Sequence, residues 1–394
     1  MLRLYRLAED IPACSLYVHI PFCAKRCDYC GFCSEVMRPK TADIYAGTLS
    51  RELNALQSSY HGRITTLFVG GGNPLSLGPD RLARLCDSLS WALDAAAEST
   101  IEFNPESLDE KTADLLLSRG FTRFSVGVQS FSSRMRDAIG RKGSLEGVYR
   151  SLEILKESAV SVSVNADLMT SVPGFTFYDT RRDIDELLKR CPVHHISLYD
   201  LMIEEGTLLS KRMPAESDED MLSPSWAYLQ SAGYCQYELS NFSLPGHQCA
   251  HNKAYWSQKP YLGIGVSAVS TLPVRGGAIR YAVLPDTDGF SRSGMALGEF
   301  EELDMRTWFK EHLMLALRTA EGISLENVRK KFGDDAAAWT ADVCSAWTAR
   351  GCMDCREDTR FLLPEGMLIM NTITTDFFLK SDALAFDPSL DSEF

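Results

Sequence analysis

The sequence predicts an α/β fold built on a parallel sheet, and three observations carry that reading. Short apolar runs alternate six times with helical patterns between residues 16 and 199. Polar residues or glycine stand at or just beyond the ends of those runs: Cys23, Gly71, Glu102, Gln129, Asp167 and Asp200. The first run leads straight into a loop with three cysteines. Strand–helix alternation implies parallel strands joined by right-handed crossovers. Side chains with chemistry at strand ends suit an α/β barrel, whose sites lie at the carboxyl ends of its strands. A doubly wound open sheet obeys a similar rule, so the pattern leaves both architectures open.

In order, Leu16 to Ile20 reads as a buried strand stopped by Pro21. Thr41 to Ser58 reads as a helix, with Ile44, Tyr45, Leu49, Leu53 and Leu56 at helical spacing and Thr41 as its cap. Ile64 to Val69 is a β-branched strand entering Gly70-Gly71-Gly72-Asn73-Pro74, and Pro79 to Leu93 is the next helix. Strand Ser99 to Phe103, helix Asp109 to Arg119 closed by Gly120, strand Arg123 to Val128 and helix Leu145 to Glu157 follow. Val160 to Ala166 is expected as a strand with Asp167 at its end, then helix Asp179 to Lys189, and His194 to Tyr199 closes the series.

Beyond Glu204 the alternation weakens. The acidic run Glu216-Ser217-Asp218-Glu219-Asp220 reads as a solvated loop, Ser225 to Ala232 as a helix and Tyr234 to Leu239 as a strand. Tyr261 to Val269 carries two glycines, Gly263 and Gly265, where backbone could approach a ligand or a strand could bulge. The Gly-, Ser- and Asp-rich stretch from Pro285 to Glu299 marks a boundary, giving domains 1–285 and 286–394. The second holds helical patterns at Arg306 to Leu317, Ser324 to Lys331 and Asp335 to Trp347, then a short strand at Thr359 to Leu362: a helical, winged-helix-like module.

The chain has 394 residues and a formal net charge of −13, which disfavours general nucleic-acid binding. No export signal and no apolar run long enough to span a bilayer is visible, so the twelve cysteines read as reduced thiols and the protein as cytoplasmic, with peripheral membrane contact still open.

Cys23, Cys27 and Cys30 form a C-x3-C-x2-C pattern, with Cys33 three residues later. Thiolates that close in sequence converge in space, and soft sulfur ligands select zinc, Cu(I) or iron–sulfur clusters. No second matching cysteine pair lies near enough to make zinc the natural answer. Three cysteines in one loop suit a cubane cluster with its fourth iron open. The triple glycine removes every side chain from the next strand end, so backbone amides there can meet a ligand.

The cysteine spacing resembles the signature of the radical S-adenosylmethionine (SAM) superfamily. Phe22, Tyr29, the GGG-x-P loop, Glu102 before Asn104-Pro105, Gly127 to Phe131, Gly140-Arg141, Asp167-Leu168-Met169 and Pro173-Gly174 fall in one order. That order looks like the coproporphyrinogen-oxidase-related branch, which contains HemN and the heme chaperone HemW. The resemblance implies a partial (βα)6 TIM-like barrel, a small mixed region and a C-terminal helical domain. It implies a [4Fe-4S] cluster on Cys23, Cys27 and Cys30, with Cys33 outside the ligand set. Tyr17, Gly71 and Glu102 would line the cluster-bound SAM, while Tyr29, Gly72, Asn73, Gln129, Arg141 and Asp167 match further SAM positions. An electron donor to the cluster is implied as well.

Two functions compete: oxidative decarboxylation of coproporphyrinogen III, and binding of heme for transfer to acceptor proteins. The cysteine loop starts at Cys23 without a long preceding extension, and His251-Asn252-Lys253-Ala254-Tyr255-Trp256 resembles the HNxxYW motif of HemW. The C-terminal module, with Leu315 to Arg318 and Leu362 to Gly366, resembles the HemW ending. These favour the chaperone, with His251 as a candidate heme ligand and hydrogen bonding of a loop against the barrel as its other reading. Cys33 stands where HemW usually has asparagine, Asn73 replaces the threonine of the glycine motif, and Gly143 replaces a histidine usual in HemW.

Overall fold

The computed structural model describes residues 2–213, 220–293 and 297–386, so most of the acidic run, Glu216 to Glu219, lies outside the described residues. The six expected strands are present: β1 (Ala13–Ile20), β2 (Arg63–Gly71), β3 (Glu98–Phe103), β4 (Arg123–Gln129), β5 (Ser163–Thr170) and β6 (His195–Asp200). They pair in parallel in chain order, β1 to β6. A seventh parallel strand, β7 (Tyr261–Ile264), adds to the free side of β1. From β7 the sheet continues through antiparallel β8 (Val269–Val274), β9 (Gly277–Val283) and β10 (Gly298–Asp304). At the other end, Asn241–Ser243 runs antiparallel to β6. The sheet is a twelve-stranded partial barrel, α/β in class.

Helices fill the crossovers. Leu49, Leu53 and Leu56 of Pro39–Ser59 are fully buried against the sheet, but Ile44 on the same helix is 54% exposed. That helix begins at Pro39 with Arg38 as its cap, so Thr41 lies inside it. Asp109, Ser132 and Ser144 each accept a backbone N–H at the start of a helix, which fixes where those crossovers begin.

The expected start of the fifth strand is corrected. Val160 is 90% exposed in the turn before it, and β5 runs three residues past Asp167, which therefore sits within the strand. Its inward face carries Asn165 and Asp167 in place of apolar residues, and that obscured its extent in the sequence. Tyr234 to Leu239 contributes only the two-residue strand Cys235–Gln236. Gly263 is a packing requirement: a Cβ there would lie 2.3 Å from the Val269 carbonyl oxygen, where β8 folds back beside β7.

Met305–Leu317, Leu325–Phe332 and Asp334–Thr348 form three helices backed by a three-stranded sheet, a winged-helix arrangement with its own core around Phe309, Phe332 and Phe377. The expected boundary at 285/286 falls inside structure that stays with the large sheet: β10 pairs along β9, and Phe290 packs on Tyr45. No helix among the described residues is long and apolar enough to cross a membrane.

Candidate functional site

The cysteine loop is pinched at its neck, where Phe22–Cys23 pairs in parallel with Glu35–Val36. Asp28 N–H donates to the Gly140 carbonyl, while Asp28 carboxylate oxygens pair with Lys142 (2.9 Å) and Arg212 (3.1 Å). The loop is thereby held at the carboxyl ends of the parallel strands, over a cavity of about 320 Å³. Cys23, Cys27, Cys30, Tyr29, Gly71, Gly72, Glu102, Gln129, Arg141 and Asp167 all line it, so the fold gathers ten of the expected site residues.

Each is placed by local structure. Gly71 has φ of +115°, and a Cβ on it would run into the His19 ring at 2.6 Å. A Cβ on Gly72 would lie 3.0 Å from Cys23 Sγ, so a side chain there would crowd the thiol. Gly71 N–H donates to Glu102 Oε1, and burial, partly offset by that bond, raises the Glu102 carboxyl from 4.5 to about 7. Arg141 donates to Cys27 Sγ (3.2 Å), Asn104 Oδ1 (2.9 Å) and the Gly127 carbonyl (2.6 Å), leaving its buried Nε unpartnered. Asp167 accepts from Asn165 Nδ2 at 2.8 Å, and burial pushes its carboxyl up. Gln129, beside a bulge between Gly127 and itself, is held at φ of +70°.

Three expected residues sit elsewhere. Tyr17 lies outside the cavity lining, its hydroxyl bonded to His19 Nδ1 at 2.9 Å. Asn73 is buried and ties two loops together: its Nδ2 donates to Ser107 Oγ (2.5 Å) and its Oδ1 accepts from Asn104 N–H. His251 is 1% exposed, with Nδ1 bonded to Thr66 Oγ1 (2.8 Å) and Nε2 to Tyr255 (2.9 Å). Its helix is packed against the barrel, as the second reading of His251 held, and neither ring nitrogen is left for a ligand. Cys33 is also outside the cavity lining, its thiol turned to Ser267.

Sequence reasoning passed over several lining residues, among them Asn104, Ser125, Tyr199 and Met202. The period-two rule applied to β4 would have found Ser125, on the same face as Gly127 and Gln129. Tyr199 and Met202 lie at or just past the end of β6 and follow from the strand-end rule.

A model of the radical SAM superfamily matches residues 17–189, and a model of the HemN C-terminal domain matches residues 306–369. The heme chaperone HemW of Lactococcus lactis subsp. lactis is 31% identical over 330 residues, covering 81% of this chain and 85% of that protein. The chain belongs to the HemW family of the radical SAM superfamily. HemW of Bacillus subtilis is 28% identical and spans 91% of this chain and 97% of its own length. The solved coproporphyrinogen III oxidase HemN of Escherichia coli superposes with a TM-score of 0.81 over 96% of this chain and 94% of that one. At 21% identity that likeness shows the fold.

Membership of the radical SAM superfamily implies a [4Fe-4S] cluster and SAM, and the residues present fit both. Burial, then the neighbouring Cys30 and Cys27, raise the Cys23 thiol to about 11, so both stand within electrostatic reach of Cys23. Among the described residues no three Cys, His, Asp or Glu side chains close on the point a single ion would occupy. Three thiols of one loop lining one cavity suit the separate iron corners of a cubane. Beside them, the side-chain-free Gly71-Gly72 edge, two half-buried carboxyls and an arginine offer groups for the amino, carboxylate and ribose parts of SAM.

Proposed function

We propose that Cys23, Cys27 and Cys30 hold a [4Fe-4S] cluster whose fourth iron takes SAM, and that the protein binds heme and passes it to acceptor proteins. The observation that carries the reading is the convergence of the three thiols with Gly72, Glu102, Arg141 and Asp167 on one cavity at the carboxyl ends of the strands. When bound, the cluster supplies one-electron reductive cleavage of SAM.

The chain's residues have definable parts in this. The Gly71-Gly72 edge lets backbone approach SAM without obstruction. Arg141 bonds Cys27 through one arm and Asn104 through the other, which fixes the cluster loop against β3. Glu102, held by Gly71 N–H, presents a carboxyl to the SAM ammonium or ribose. Asp167 is oriented by Asn165, itself bonded to Ser125 Oγ (2.8 Å) and His195 Nδ1 (2.6 Å).

The heme part is supported by relatives that carry the name heme chaperone HemW over most of the chain, and by the cavity mouth. Phe32 is 71% exposed, Met202 70% and Tyr199 43%, an unusual grouping of open apolar side chains beside the exposed Lys25 and Arg26. Such a rim can hold a flat apolar macrocycle while the cations meet its carboxylates. The second reading, oxygen-independent coproporphyrinogen III oxidation, draws on the HemN-like fold.

One paired assay decides between them. The anaerobically reconstituted protein is incubated with heme, and separately with coproporphyrinogen III, SAM and a reductant. A heme absorption band and transfer to an apo-acceptor without decarboxylation are expected. Robust decarboxylation would overturn the chaperone reading.

A further inference from the structure

Asp167, which lines the cysteine-loop cavity, ends a longer chain of hydrogen bonds running through the inside of the barrel. β5 pairs in register with its neighbours, so Asn165 lies between Ser125 of β4 and His195 of β6. Asp167, two residues on and therefore on the same face, lies in the next layer between Gly127 and Ser197. Asn165 and His195 are both buried, and each of their side-chain nitrogen and oxygen atoms has a partner. A buried polar network is costly unless every member is satisfied, and this one is satisfied directly beneath the cavity.

The chain of bonds has one direction. Cys249 N–H donates to the Tyr237 hydroxyl oxygen at 3.3 Å, which leaves the hydroxyl hydrogen to meet His195 Nε2 at 2.7 Å. Burial, with Arg123 and His247 nearby, pulls the His195 imidazolium well below the usual range, so the ring is neutral and its one hydrogen sits on Nδ1. Nδ1–H donates to Asn165 Oδ1 at 2.6 Å, and Ser197 Oγ donates to the same oxygen at 3.2 Å. With Oδ1 held by two donors, Nδ2 faces the other way and donates to Ser125 Oγ and Asp167 Oδ1, both at 2.8 Å. The far end is anchored too. The Tyr237 carbonyl accepts from Ala320 N–H at 3.0 Å, and Leu239 N–H donates to the Arg318 carbonyl at 2.9 Å, which ties this segment to the C-terminal module.

We propose that His195 is a positioning residue for SAM: Tyr237 sets its tautomer, and its Nδ1–H holds the Asn165 amide so that Asp167 meets SAM in one orientation. Without that donor the amide is free to turn over, and its oxygen would then face the Asp167 carboxylate, where two acceptors repel. Neither His195 nor Tyr237 lines the cavity, so their effect on it passes through Asn165. The assignment rests on the reading of Asp167 as a SAM contact and is independent of the heme reading.

The test is SAM titration of the full, cluster-loaded chain. His195→Leu should weaken SAM binding about tenfold, the size of one lost buried hydrogen bond. His195→Asn, whose amide N–H stands in for Nδ1–H, should stay within about threefold of the wild-type chain. In an Asp167→Ala background His195→Leu should cost nothing further, because both changes act through one carboxyl. A nitrogen–proton correlation spectrum of the histidine-labelled chain, its cluster oxidised, should show His195 as the Nδ1–H tautomer, the signal being identified by its loss in His195→Asn. Equal weakening by leucine and asparagine, an additive loss in the Asp167→Ala background, or an Nε2–H tautomer in the wild-type chain would each overturn the assignment; a histidine that only packs the barrel would give the first two. No SAM binding by the wild-type chain would overturn the cavity reading, and this assignment with it.

Discussion

Arg141 donates to Cys27 Sγ at 3.2 Å although 114 residues separate them. The same guanidinium reaches Asn104 and the Gly127 carbonyl, so one side chain couples the cysteine loop to the ends of β3 and β4. Its remaining Nε is buried and has no partner among the described residues. We predict that Arg141→Met leaves most of the cluster iron in place but weakens SAM binding about 10- to 100-fold, the size of a lost charge-assisted hydrogen bond. Iron content and a SAM titration followed by the spectrum of the reduced cluster measure the two separately. Unchanged SAM affinity would sink the idea.

The four clustered cysteines should divide three to one. Alanine at Cys23, Cys27 or Cys30 should each take anaerobically reconstituted iron to near zero, because each serves a separate corner of the cubane. Cys33→Ala should retain it, since Cys33 stands outside the cavity, turned to Ser267. Iron and sulfide analysis with visible absorption reads the result, and loss of the cluster in the Cys33 variant would contradict the geometry.

What the sequence revealed was what local chemistry determines. Six short apolar runs, the helix end at Gly120 and thiols within one loop depend on neighbours a few residues away. The residues misread depend on partners far along the chain. His251 gains its role from Thr66, 185 positions earlier, and Asn73 from Ser107, 34 positions later. A histidine beside Tyr255 and Trp256 looks the same in sequence whether its nitrogens face a ligand or a buried threonine. The cavity lining was legible to the extent that strand ends were. Asp167 was found as a strand-end residue although it sits within β5, because an isolated carboxylate beyond apolar residues signals a site either way.

Glu102 makes stability depend on pH. Its carboxyl is raised from 4.5 to about 7, chiefly by burial. Below about pH 4.5 the group is protonated folded and unfolded and has no effect. As pH rises towards 7 the unfolded chain ionises first, so stability falls, and above 7 the penalty is complete. Because water still reaches Glu102 along the cavity, an order of 1–3 kcal/mol is expected. Glu102→Gln keeps the acceptor for Gly71 N–H and should raise the denaturation midpoint of the cluster-free protein at pH 8 while leaving it unchanged at pH 4. The same variant should bind SAM more weakly. A midpoint shift of equal size at both pH values would contradict a titration origin.

Gly143 stands where the resemblance to HemW leads one to expect histidine, and its backbone does not invite one back. Its φ is +95°, and a Cβ there would lie 1.8 Å from Glu106 Oε1, which pairs with the buried Arg136 at 3.4 Å. Gly143→His must strain the backbone and displace Glu106, so a loss of about 2 kcal/mol is expected. Urea denaturation checks this, and a more stable histidine variant would show that the loop rearranges freely.

The last prediction concerns His251. Both its ring nitrogens are satisfied, by Thr66 and Tyr255, and burial drives its imidazolium pKa down to about 3, so it stays neutral. Thr66 has a second partner, Ser15 Oγ at 2.8 Å, and survives loss of the ring better than Tyr255. His251→Phe nearly preserves the volume, with its ring still near Phe68, but leaves the half-buried Tyr255 hydroxyl without its partner. That should cost about 1–3 kcal/mol of stability. If the ring only fastens the Ala250–Trp256 helix to β2, the folded fraction of this variant should bind heme with an unaltered absorption band. Loss of the band with stability intact would make His251 the iron ligand after all, since packing residues change stability first and spectra only through unfolding.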